Sequence, residues 1–248
     1  MGNYFRLLKI HSYSQMLEHL RQPMYVLTTL VFPAMFFWFF GVPNATTSEA
    51  SLLLLGSFSC FAILGVVLFQ FAIGIAQEKN TPWSHYLSIL PLPSSLRLIP
   101  RVLNSLLVAT VSVLAVAGVA LLCTPLVFSE IPWGRFLGAL LCGALPFSLL
   151  GAALGYAVNS KSIVPLANLV YLPLSFAGGL WMPPNALPPT IQEISKYLPT
   201  RYFGEFTWAA LLNRPLQSEH IWGLSSYTVI FLAMAIVYFR KNQEQEFH

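Results

Sequence analysis

Six stretches of the chain are apolar and free of Lys, Arg, Asp and Glu: residues 23–42, 52–76, 102–128, 136–158, 162–181 and 221–239. Each approaches or exceeds the ~20 apolar residues that a helix needs to cross a hydrocarbon core of about 30 Å. The ~10-residue alternation of a membrane barrel is absent. The pattern therefore predicts an all-α membrane protein with six transmembrane helices in one domain, residues 1–248. Ahead of the first stretch, Ile10, Tyr13, Leu17 and Leu20 recur at helical spacing opposite His11, Ser14, Gln15, Glu18 and Arg21. That predicts a helix over residues 1–22 lying in the membrane interface, with a plain extension of the first span as the alternative. Pro23 suits a helix start, and Pro33 is expected to kink the first span. That span is read as retained rather than cleaved, because no small-residue cleavage site follows it.

The most informative polar interruption is residues 182–219, where short folded-back outer helices are expected between spans five and six. The apolar run breaks on Met182-Pro183-Pro184 and passes through Leu187-Pro188-Pro189 into TIQEISKYL and RYFGEFTWAALL, separated by Pro199. Thr190 and Glu193 have the spacing of a capping box. Ile191, Ile194 and Leu198 form one apolar stripe, and Phe203, Phe206 and Ala210 form another along a helix from Tyr202. Neither helix is long enough to cross. Backbone of this kind is tolerated near lipid only when it is buried in protein or lines a cavity. A lid over a central path and an ordinary outer cap both fit, with Glu193, Lys196, Arg201 and Glu205 on a wet face. Pro183, Pro184, Leu187, Pro188, Glu193, Pro199, Tyr202, Phe203 and Phe206 are the candidate residues of such an outer gate.

The second interruption, QEKNTPWSHYLSILPLPSSLRLIPR at residues 77–101, is far longer than a hairpin between two membrane helices requires. Residues 81–90 suit a short helix with Pro82 in its first turn and an apolar edge of Tyr86 and Leu90. Such an edge fits a groove on a cytosolic partner, although an amphipathic loop resting on the bilayer has the same pattern.

Charge orients these elements. With both termini cytoplasmic, inner segments hold nine of the 13 Lys and Arg residues and outer segments four, as the positive-inside bias requires. The net charge of +4 is thus accounted for by topology, and no basic face is dense enough for nucleic acid. Cys60, Cys123 and Cys142 sit in apolar runs without a CxxC and read as small buried hydrophobes. Gln70, Asn104 and Asn168 are amides at membrane depth, where helix-packing hydrogen bonds are the ordinary use. Gln70, Asn168 and Tyr171 are also the candidates for lining a path. Gly134 with Gly138, and Gly151 with Gly155, are small-xxx-small pairs that let helices approach closely, within the chain or between copies.

Several chemistries lack their parts. The chain has no phosphate-binding loop, no HExxH and no nucleophile-base pair at membrane depth. No ionisable residue occupies the middle of a span, where ion or proton carriers normally lie. The chain itself is expected to be non-catalytic, to hold no metal and to bind no cofactor.

Taken in order, LRQPMYVLTTLVFPAMFFWFFG, QEKNTPWSHYLSILPLP and FAGGLWMPPNALPPTIQEISKYLPTRYFGE resemble the membrane subunit of ABC-2 type transporters over nearly the whole chain. The Lys79-Asn80-Thr81-Pro82 piece departs from the more charged pattern common in that family, and the prolines after Trp181 are unusually dense. The resemblance implies two permease subunits, a homodimer or a pair with a sister chain, facing each other across a path. Each would rest on a separate cytosolic ATPase carrying the ATP and Mg. It makes Glu78, Lys79, Trp83, Tyr86, Leu87 and Leu90 the ATPase-coupling element, in a bacterial inner membrane, and makes export of a hydrophobic or amphipathic substrate the expected activity. Export of a lipid-linked glycan, a sensor or assembly subunit that transports nothing, and an intramembrane enzyme are the rival readings.

Overall fold

A computed structural model of the chain describes residues 27–79, 81 and 95–246, together with Arg6, Tyr13, Ser14, Met16 and Leu17. Among these residues every regular element is helical and no strand occurs. The interfacial helix expected over 1–22 and the loop helix expected over 81–90 fall almost wholly outside the described residues.

The first apolar stretch forms α1 over residues 27–44. It alternates a π turn (Leu27–Val31), an α turn (Phe32–Phe36), a second π turn (Phe37–Gly41) and a 3₁₀ turn (Val42–Asn44). Pro33 lies in the α turn and has no N–H to return to the carbonyl one turn before it. That carbonyl, on Thr29, instead accepts from the Ser112 hydroxyl at 2.7 Å. Thus the expected irregularity appears as a change of helical pitch, and the buried Thr29 carbonyl ties α1 to its neighbour.

The remaining helices are α2 (Ser48–Glu78), α3 (Ser95–Cys123), α4 (Trp133–Ala157), α5 (Ile163–Ala177), α6 (Pro189–Ser195), α7 (Pro199–Leu211) and α8 (Ser218–Glu246). Four of them, α2, α3, α4 and α8, are long and apolar enough to cross a membrane, while α1 and α5 are shorter apolar helices. The upper end of the bundle carries the α1–α2 and α3–α4 connections, and the lower end carries the α4–α5 turn.

α2 is the hub. In its most apolar stretch 89% of residues are buried, against 11% for α8, which flanks the bundle. The small residues on α4 explain the tight α2–α4 seam. A Cβ at Gly151 would stand 2.7 Å from the Leu68 carbonyl oxygen, and one at Gly155 would stand 2.8 Å from that of Ala72. This Gly151–Gly155 pair therefore packs within the chain, as its spacing allowed. Gly134 and Gly138 have no neighbouring atom within 4 Å of a Cβ. Cys60 is buried as expected, whereas Cys123 and Cys142 are exposed on the outer faces of α3 and α4.

Two boundaries differ from expectation in ways that matter. α2 and α3 run past their apolar limits to Glu78 and from Ser95, because an ion pair between Glu78 and Arg101 at 2.6 Å joins their charged ends. The fifth span, expected to continue to Trp181, stops at Ala177. There Gly179 takes φ +79°, and the Leu180 N–H closes back on the Ser175 carbonyl at 3.1 Å. This is a Schellman-type stop whose left-handed residue favours glycine. At 1.5 Å per residue α5 rises only about 22 Å, short of a hydrocarbon core of about 30 Å.

Candidate functional site

The gap above the short α5 is filled by the chain returning inward. After Gly179, Leu180 is fully buried, and Trp181 packs edge-on against Phe36 and Phe61 at 5.3 and 5.7 Å. A 3₁₀ turn (Pro184–Ala186) and α6 follow. α7 then begins beside the last turn of α5, where the Thr200 hydroxyl donates to the Leu174 carbonyl at 2.6 Å. Gly178 makes this approach possible, since a Cβ there would lie 2.2 Å from the Thr200 Oγ1.

The depth of α7 follows from what it touches. Phe203 lies across Gly143 of α4, its ring 2.1 Å from where a Cβ would stand, and packs on Phe147 at 5.6 Å. Cys60 of α2 donates its thiol to the Thr207 hydroxyl at 3.2 Å. The Trp208 indole N–H donates to the Ser57 hydroxyl at 2.9 Å. Cys60 and Gly143 lie roughly 18 and 15 Å along their helices from the upper end. α7 therefore starts near half-depth and climbs back to the upper end, so α6 and α7 form a re-entrant hairpin.

Three local expectations for this hairpin are corrected. Thr190 does not cap α6, which starts at Pro189 after Pro188 without a side-chain cap. Instead the Gln192 amide donates to the carbonyls of Asn185 at 3.1 Å and Leu187 at 2.8 Å. Pro199 opens α7 as its first residue, the position where a missing N–H costs nothing. The buried face of α7 is Thr200, Phe203, Gly204, Thr207, Trp208 and Leu211, with Phe206 and Ala210 turned half outward. Ile194 of the expected α6 stripe is likewise exposed.

The candidate gate residues are thus divided between surfaces. Leu187, Pro199 and Phe203 are buried; Pro184, Tyr202 and Phe206 are half-buried; Pro183, Pro188 and Glu193 are exposed. Tyr202 faces α8, its ring 6.3 Å from His220 and 6.2 Å from Tyr227. The Tyr227 hydroxyl in turn donates to the Tyr197 carbonyl at 2.6 Å in the turn between α6 and α7.

The candidate path-lining residues do not gather at one place. Tyr171 is locked in the α2–α5 seam, stacked on Phe61 at 4.9 Å, with its hydroxyl donating to the Phe61 carbonyl at 3.1 Å. Asn168 folds its amide onto the Val164 carbonyl of its own helix at 3.0 Å. Gln70 is buried on α2. Of the candidate coupling residues, Glu78 and Lys79 form the base of the loop: Glu78 pairs with Arg101, and the Lys79 ammonium donates to the Tyr156 carbonyl of α4 at 2.9 Å. Trp83, Tyr86, Leu87 and Leu90 lie outside the described residues.

Several charged contacts have no counterpart in the sequence pattern. Arg201 and Glu205 were expected on a wet face. They pair instead at 2.5 Å with side chains only 22% and 26% exposed, and the guanidinium stands 5.5 Å from the Trp208 ring. Their i,i+4 spacing was readable, but the inward course of α7 was not. At the upper end Arg214 pairs with Glu49 at 2.8 Å, Arg135 donates to Asn213, and Glu130 accepts from the Ser48 hydroxyl and the Val127 amide. These two donors hold the Glu130 carboxyl below its ordinary range. Among the described residues no group of three His, Cys or Glu side chains is placed to hold a metal ion.

The family model described as ABC-2 type transporter matches residues 6–212. The Bacillus subtilis (strain 168) protein named "Putative transport permease YvfS" is 26% identical over 243 residues, covering 96% of this chain and 98% of that protein.

Proposed function

Because the chain belongs to the ABC-2 type transporter family, we propose that it is the permease subunit of an ATP-driven exporter, powered by a separate cytosolic ATPase. Two permeases, copies or sisters, together form the path for a hydrophobic or amphipathic substrate. In this reading α1 and α5 join the four long helices to make six crossings, with both termini cytoplasmic and the lower end facing the ATPase. The nine inner Lys and Arg residues against four outer ones support that orientation. The relative named as a transport permease supports the same class of activity.

The observation that carries the reading is the re-entrant α6–α7 hairpin. A protein that needed only an anchor would gain nothing from a helix start sunk to half-depth, whereas a transporter needs a closable element above a path. The hairpin meets this need, for it is packed on α2, α4, α5 and α8 through side chains and a few hydrogen bonds and has no crossing of its own. Below it, the Glu78–Arg101 and Lys79–Tyr156 contacts bind α2, α3 and α4 at the root of the 80–94 loop. A push delivered to that loop by an ATPase would reach three helices together. The apolar outer faces of α1 and α5, including Trp38, Phe39 and Leu169, are open to lipid and to a second permease.

The experiment is to purify the chain from its native membrane in mild detergent and assay the eluate for a stoichiometric second subunit with vanadate-sensitive ATPase activity. Recovery of such a subunit is the expected result. A clean eluate lacking ATPase, under conditions that preserve other transporter complexes, would overturn the proposal.

A further inference from the structure

A cavity of about 260 Å³ lies at the upper end between α7 and α8, lined by Glu205, Trp208, Ala209, Leu212, Arg214, Pro215, Gln217 and His220. We propose that it is a binding site for the headgroup of a zwitterionic phospholipid, with the ammonium on Glu205 and the phosphate on Arg214 and His220. Whatever the chain transports, this site belongs to the bilayer around it.

The lining separates opposite charges within one small space. Glu205 is held by Arg201 on one side and lines the cavity on another, so one carboxylate serves both, as the four lone-pair sites of a carboxylate allow. Arg214 is placed by the turn after α7: Asn213 takes φ +53°, and the Arg214 N–H closes on the Ala209 carbonyl at 3.0 Å. Its guanidinium uses part of its five-donor fork on Glu49, leaving donors for a phosphate oxygen. Both cavity charges are already balanced by partners outside it, so a ligand of net charge fits less well than one carrying both signs.

The surroundings favour a lipid over a free zwitterion. Ala209, Leu212 and Pro215 make part of the wall apolar. Leu216, between the lining residues Pro215 and Gln217, and Ile221, next to His220 on α8, are exposed large hydrophobics, so the rim of the cavity is apolar as well. Trp222, near the start of α8, is 72% exposed, and tryptophan is enriched at membrane–water interfaces.

The test is native mass spectrometry of the full chain, delipidated in detergent and titrated separately with phosphatidylethanolamine, phosphatidylglycerol of the same acyl chains, and soluble phosphoethanolamine. The wild type is expected to retain one phosphatidylethanolamine in preference to phosphatidylglycerol by about tenfold. Glu205→Gln should erase that preference without weakening phosphatidylglycerol. Ala209→Phe, which fills the cavity and leaves every charge in place, should release both lipids, while Glu219→Gln outside the cavity should behave as wild type. Equal retention of phosphatidylethanolamine by wild type, Glu205→Gln and Ala209→Phe would overturn the proposal. Binding of phosphoethanolamine as tight as that of the lipid would also overturn it, in favour of a site for a soluble zwitterion.

Discussion

Phe203 and Gly143 are the residues on which the seat of the re-entrant hairpin most depends. The Phe203 ring occupies the space of a Cβ at Gly143, so Gly143→Ala forces the ring or the helix to move. Overpacking of this kind costs about 1–3 kcal/mol. Gly138→Ala, earlier on the same helix in open surroundings, should be neutral, and thermal unfolding of the two variants in detergent checks the contrast. Glu130 supplies a pH test at the same scale. Its carboxyl is depressed, chiefly by the Ser48 hydroxyl and then by the Val127 amide. The stabilisation is therefore complete above the ordinary Glu value of about 4.3 and fades as pH falls through the lower folded value. Ser48→Ala should melt slightly below wild type at neutral pH, and the gap should close in acid below both values. A gap that persists or widens there would remove Glu130 from the account. Individual residues also show where pattern reading stops: Arg201 and Glu205 look solvated in sequence, and only the contacts of Thr200 and Phe203 reveal that they lie below the surface.

Among the elements, α5 and the α6–α7 hairpin depart furthest from a simple span. The hydrophobic run from 162 to 181 is long enough to cross, yet the backbone stops at Gly178-Gly179 and the Thr200 hydroxyl takes up a last-turn carbonyl. A sequence signal existed in that glycine pair, a common helix stop, but the apolar residues on both sides of it concealed the break. The expected topology is directly measurable. In a variant with Cys60, Cys123 and Cys142 replaced by serine, Lys196→Cys should react with a membrane-impermeant maleimide from the same side as Ser129→Cys. Reaction from the side that labels Ser160→Cys instead would mean that the hairpin crosses rather than returns. The faces of α7 teach a similar lesson, because a helix of 13 residues with aromatics all round has several plausible buried faces. Partners such as Gly143, Cys60 and Ser57 choose among them.

For the whole molecule, the governing feature is that α2 is enclosed by α1, α3, α4, α5 and α7, while its lower end is tied to α3 and α4 by Glu78 and Lys79. Movement at the loop root therefore cannot stay local. If residues 80–94 dock on an ATPase, Tyr86→Ala combined with Leu90→Ala should leave the fold and its melting temperature intact, reduce ATPase co-purification and lower substrate-stimulated ATP hydrolysis at least several-fold. A doubly substituted protein that retains its ATPase and couples normally would assign docking elsewhere.

Composition and hydrophobic runs by themselves determined that the chain is a helical membrane protein. They also marked out its apolar stretches, the long polar loop and the proline-rich region after the fifth, because partition into lipid depends on summed side-chain polarity and run length. The order of loose motifs was enough to point to the ABC-2 type family. Tertiary structure alone decided where α5 stops and how deep α7 begins. It also decided which face of α7 is buried and that Arg201, Glu205 and Trp208 share one half-buried site. Those outcomes depend on contacts between residues far apart in the chain, such as Gly143 with Phe203 and Leu174 with Thr200, and local periodicity carries no record of which distant surface a helix will meet.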